Sequence, residues 1–241
     1  MQQKSEQKRL KTALPAIFAA LVFLAVILIG ANGTGERKYF AVSLVLLVGS
    51  MLPFFIHFER RRTQARELVT LSVLCAIAVA GRAAFYMIPQ FKPVAAIVII
   101  TGVCLGPQSG FLVGAVSLFV SNFFFGQGPN TPYQMFAFGL LGVLSGILYN
   151  RGLLKSSRAS LCLFGGLSTL LLYGGIVNLG TLLLSGLPPT LSAYLMVCLT
   201  SLPFDLIHAA SSVFFLFVLA KPMIQKMERM KTKYGLFSSE K

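Results

Sequence analysis

Acidic residues are scarce: seven Asp and Glu stand against 21 Lys and Arg in 241 residues. So few carboxylates leave no run of acids for a proton relay and no Asp-rich helix for a catalytic metal. There are two histidines and no HExxH pair. No G-x-x-x-x-G-K-[ST] loop is present to cradle a nucleotide phosphate. The four cysteines, Cys75, Cys104, Cys162 and Cys198, never fall at CxxC spacing, so neither a zinc site nor a disulfide framework is indicated. Each lies in an apolar run and reads as a small buried hydrophobe. No internal repeat relates the two halves, which removes support for an inverted-repeat transporter. Charge of either sign is thin, at 12% of residues, where a soluble domain carries about 25%.

What fills the chain instead is apolar. Hydrophobic residues make up 56% and the mean hydropathy is +0.78, far more apolar surface than one soluble core can hide. The class is an all-α integral membrane protein. Eight candidate spans can be drawn, at about 13–30, 39–58, 67–84, 93–105, 109–125, 133–149, 161–184 and 191–220. A helix needs about 20 apolar residues to cross the hydrocarbon, so the fourth and fifth runs are short. Only "GPQSG" (106–110) separates them. They are expected to form a helical hairpin that stays near one leaflet's edge or is shielded by its neighbours. The first run follows the basic stretch "MQQKSEQKRLK" and has the look of a signal peptide. Its length exceeds a usual signal core of about 7–15 residues, and a retained helix is expected.

The basic residues sort by side. Seventeen of the 21 fall at 4–11, 60–66, 151–158 and 221–241. Arg37, Lys38, Arg82 and Lys92 fall in the alternate connections. The positive-inside rule then sets both termini in the cytoplasm of a multi-pass cell-membrane protein. The same placement, in gaps between apolar runs, argues against a nucleic-acid partner, which would need basic residues on a folded face. The cluster "ERRRTQARE" (59–67) divides the chain. Residues 1–64 form a basic tail and a two-helix hairpin, 65–222 a six-helix core, and 223–241 a basic cytoplasmic tail.

Polar residues inside a membrane are costly and face a cavity or a partner. Asp205 and His208 share a helical face. Asn178 and Arg82 lie at a depth where they could meet Asp205. Two outer connections, "RAAFYMIPQFKPV" (82–94) and "SNFFFGQGPNTPYQM" (121–135), mix amides with aromatic rings and are stiffened by prolines. The second holds Asn122, Gln127, Asn130, Tyr133 and Gln134, and the first holds Tyr86 and Lys92. Such neutral hydrogen-bonding groups suit a bulky or ring-bearing solute rather than a bare ion. The plainer alternative is that the amides cap helices and close turns, and that Asp205 and His208 lock helices together. Ala76 and Ala80 form an AxxxA, and Gly142 and Gly146 a GxxxG, either of which lets a helix pack closely.

The last six spans resemble the substrate-binding S component of energy-coupling factor (ECF) vitamin transporters. The likeness rests on the inside–inside topology, the AxxxA on the first core helix and the long outer connection after it. The stretch 81–142, from "GRAAFYMIPQFKPV" to "YQMFAFGLLG", is most similar to the branch for cobalamin and related corrinoids. The resemblance implies a vitamin bound at the outer face by Arg82, Tyr86, Lys92, Asn122, Gln127, Asn130, Tyr133, Gln134, Asn178 and Asp205. It also implies that Ala76 and Ala80 dock onto a transmembrane coupling subunit that works with two ATP-binding subunits. No cofactor and no catalytic residue are implied. Against it stand an S component for another vitamin, an intramembrane enzyme using Asp205 and His208, and a membrane assembly protein without a ligand.

Overall fold

A computed structural model of the chain describes residues 65–234 together with Val45, Val48, Gly49, Met51, Leu52, Phe55 and Ile56. Residues 65–234 form six helices: α1 Ala65–Ala84, α2 Val94–Leu105, α3 Pro107–Phe125, α4 Thr131–Asn150, α5 Arg158–Leu184 and α6 Leu191–Tyr234. All but α2 are long and apolar enough to cross a bilayer. These helices match the six core runs read from hydropathy. The first expected span lies outside the described residues. Seven residues of the second are described, all helical, and its Met51 is buried with Phe111 and Ala115 of α3 and Val143 of α4.

α2 sits at the centre. Each of its twelve residues is buried, and it packs against α1, α3, α4 and α6. Its uniform apolarity follows, because a helix touched on all sides has no polar face. Of the two runs expected to be short, α2 is the one shielded by its neighbours, whereas α3 is long enough to span and exposes Phe119, Phe123 and Phe124. Gly106 alone makes the turn between α2 and α3, with φ at 91°, a conformation that favours glycine. Pro107 then opens α3, where its missing N–H is no loss.

Glycine sets how closely α2, α3 and α4 approach. A methyl group added at Gly110 would stand 2.7 Å from the Gly142 carbonyl oxygen, and one at Gly146 would stand 2.6 Å from the Pro107 nitrogen. The GxxxG of α4 thus faces helices of its own chain. A Gly142→Leu variant is expected to lose most folded protein from the membrane fraction, since overpacking a rigid backbone contact costs about 1–3 kcal/mol or more. Size-exclusion in mild detergent reads this as an aggregated rather than monodisperse peak.

Two helices depart from regularity. α5 contains a π-helical turn over Thr169–Tyr173. α6 runs unbroken for 44 residues with Pro203 and Pro222 inside it, so the basic stretch after 222 continues a helix at least as far as Tyr234. At about 1.5 Å per residue it is roughly twice the length that crosses hydrocarbon. Its far part packs back on the bundle through Met227, which is buried.

Candidate functional site

A cavity of about 290 Å³ opens at the end of the bundle that carries the α1–α2 and α3–α4 connections. Arg82 and Lys92 enter it from one side, Asn178 and Asp205 from α5 and α6, and Gln134 from α4. Five of the residues singled out in the sequence therefore meet here, although they span residues 82 to 205.

Arg82 is the organiser. Its Nη1 donates to Ser121 Oγ and to Asn122 Oδ1, both at 2.6 Å. Asn122 is 2% exposed, and its Nδ2 donates on to Thr131 Oγ1 and Gln134 Oε1, each at 3.0 Å. One chain of bonds thus runs from α1 through α3 to α4. A buried amide with each bond made is held in one orientation, so Asn122 fixes the guanidinium rather than lining the cavity itself. The guanidinium also lies 5.3 Å from the Phe125 ring centroid, a cation–π distance.

Asp205 lines the same cavity from α6. Asn178 Nδ2 donates to Asp205 Oδ2 at 2.9 Å. The floor is made by Tyr173, Phe138 and His208, whose imidazole lies edge-on to Tyr173 at 4.7 Å. The π-helical turn ends on Tyr173, and wide turns of this kind occur often at functional sites. Tyr173 is absent from the sequence reading, while His208 enters it only beside Asp205, as a helix lock or an enzyme residue. For His208 the pairing with Asp205 was a visible signal; for Tyr173 no local pattern marks the turn.

A strap closes one side. Lys92 N donates to Ser211 Oγ at 2.8 Å, and Ser211 Oγ donates to Lys92 O at 3.0 Å. Phe85 and Phe91 pack on Phe215 at 5.0 and 5.2 Å. Gln90, also lining the cavity, takes a positive φ of 56° to make the bend. Burial, and then the neighbouring Arg82, push the Lys92 amine below its ordinary range. Ser211→Ala leaves the half-buried N–H and C=O of Lys92 without their shared partner, a loss of about 1 kcal/mol or more. A lower unfolding temperature in detergent and several-fold weaker ligand binding are expected. If neither changes, the ring contacts alone hold the strap.

The remaining sequence candidates lie elsewhere. Tyr86 is exposed and stacks on Phe125 at 5.0 Å. Gln127 is exposed, its Nε2 donating to the Phe119 carbonyl at 3.1 Å. Asn130 donates to Thr181 Oγ1 at 3.4 Å. Tyr133 is buried against Gly180 between α4 and α5. None of these four lines the cavity: Gln127 bonds back to α3 and Asn130 across to α5.

Ala76 and Ala80 lie on a different feature, a groove of about 830 Å³ between α1 and α3 with almost wholly apolar walls. Both are exposed on it. Leu68, Val69, Val73 and Ile77 of α1 are exposed too, as befits a helix that meets lipid.

Among the described residues, five polar side chains converge on a cavity at one end of an apolar helical bundle, a setting suited to holding a solute. A family model described as ECF transporter, substrate-specific component, matches residues 66–220, and the chain belongs to that family. No curated protein and no solved structure matches it. Membership makes the chain a multi-pass membrane subunit that binds substrate and associates with an ECF module.

Proposed function

We propose that this chain captures a vitamin-type solute in the cavity bounded by Arg82, Lys92, Gln134, Asn178 and Asp205, for an ATP-driven importer. The observation that carries the proposal is the convergence of these five polar side chains on one end of an otherwise apolar bundle. Polar groups at such depth are costly unless they serve a ligand or one another. The basic residues put that end outside: Arg66, Arg151, Lys155 and Arg158 mark the opposite end. Both termini are then cytoplasmic. The chain contributes binding; the ATP-binding subunits of the module supply energy, through a coupling subunit that meets the Ala76–Ala80 groove.

Among the solutes raised by the sequence, the cavity suits the smaller ones. Its volume stands at the low end of small-molecule pockets, about 300–1,000 Å³, and a corrinoid is several times too large to enter it. A second reading keeps the corrinoid, seated across the mouth on Tyr86, Met87 and Ile88, which are 56%, 88% and 47% exposed. Calorimetric titration of the detergent-purified chain with cobalamin and with smaller vitamins separates the two. Tight binding of any of them supports the importer subunit, and cobalamin alone selects the second reading. Silence from all of them rejects both readings.

A further inference from the structure

Among the described residues, the charges lining the cavity do not cancel. Arg82 and Lys92 bring two cations, while Asp205 is the lining carboxylate. Arg82 spends two hydrogen bonds on neutral oxygens, Ser121 Oγ and Asn122 Oδ1. Among the described residues, the ion pair is Lys231–Glu228 at 3.3 Å, far along α6 from the cavity. Asp205 is engaged instead by the Asn178 amide. A net positive, partly desolvated pocket within a membrane protein is unfavourable until an anion enters. A guanidinium retains further N–H donors after two bonds are made, and its planar fork suits a carboxylate. Opposite, Asp205 offers an acceptor at a fixed place.

From this we infer that the solute is a small organic acid, its carboxylate held by Arg82 and Lys92 and its hydroxyl or amine end directed at Asp205. The inference rests on the solute-binding reading of the cavity and adds to it the sign of the ligand's charge. Tyr173 and Phe138 supply an apolar floor for the carbon skeleton between the two ends. A neutral ring of the same size would leave the two cations unanswered, and a cationic solute would be repelled by them.

The test uses matched acid and neutral pairs on the full-length purified chain, titrated calorimetrically: nicotinate with nicotinamide, pantothenate with pantothenol, biotin with biotinamide. At least one acid is expected to bind, and its neutral partner at least tenfold more weakly, the loss for one charge-assisted hydrogen bond. Cobalamin and riboflavin serve as larger ligands that carry no carboxylate. If either binds while every acid is silent, the solute-binding reading stands and the organic-acid inference falls. An acid and its neutral partner binding equally also overturns the inference. Silence from every ligand removes both together.

Discussion

Arg82→Met is expected to lower the affinity for the captured solute by about tenfold to a hundredfold, with the protein still recovered from the membrane. The range follows from one charge-assisted hydrogen bond, about 1.5–3 kcal/mol. A second cost accompanies it. Asn122 Oδ1 and Ser121 Oγ lose the donor they share at 2.6 Å, and Asn122 is too buried to recruit bulk water. The α1–α3 contact should therefore loosen as well, seen as a lower unfolding temperature. Arg82→Lys separates the two effects, because an ammonium keeps the charge but, on a shorter stem, does not reach the place where Nη1 meets both oxygens. Partial recovery of affinity with little recovery of stability is the expected result. If Arg82→Met binds as the parent does, the guanidinium is a lock between helices and has no part in capture.

The second large effect concerns the groove. Ala80→Phe, or Ala76→Phe, is expected to abolish uptake in cells carrying the ECF module while leaving solute affinity within about twofold. Both alanines are exposed on the α1–α3 groove, so among the described residues a larger side chain there meets no close-packed backbone. What it disturbs is the approach of another helix, and in membranes that approach depends on small residues. Uptake of labelled solute and co-purification with the coupling subunit should fall together. Retained co-purification with Ala80→Phe would move the docking face elsewhere; a parallel loss of affinity would mean the groove communicates with the cavity.

The helices were legible because hydropathy reports them directly. A run of apolar residues bounded by Gly106-Pro107 or by "GQGPNTP" can end in few places. The central position of α2 was half legible: twelve apolar residues are too short to span alone, yet shielding by neighbours could not be distinguished from a peripheral hairpin. At the site, Arg82, Asn178 and Asp205 could be grouped because ionisable and amide groups in membrane helices are rare enough to stand out. Their bonds could not be read. The Arg82–Asn122 contact joins residues 40 apart, and only the packing of α1 on α3 brings them together. The setting of Gln127 was ambiguous, because Gly126 and Gly128 beside it suit a ligand and a turn equally. Tyr173 was invisible for a different reason: a π-helical turn has no composition of its own, and "TLLLY" reads as ordinary helix.

That wide turn has a consequence for how α5 tolerates change. In a regular helix, each residue removed rotates everything beyond it by about 100°. Such a deletion between 174 and 178 would swing Asn178 away from Asp205. Thr169–Tyr173 is different, since a π-helical turn accommodates one residue more than the ladder needs. Removing a residue there lets the helix close into regular turns with both halves near their present phase. α5 thus behaves as two rods joined by a slip joint, which can absorb a change in length without turning the face it presents to the cavity.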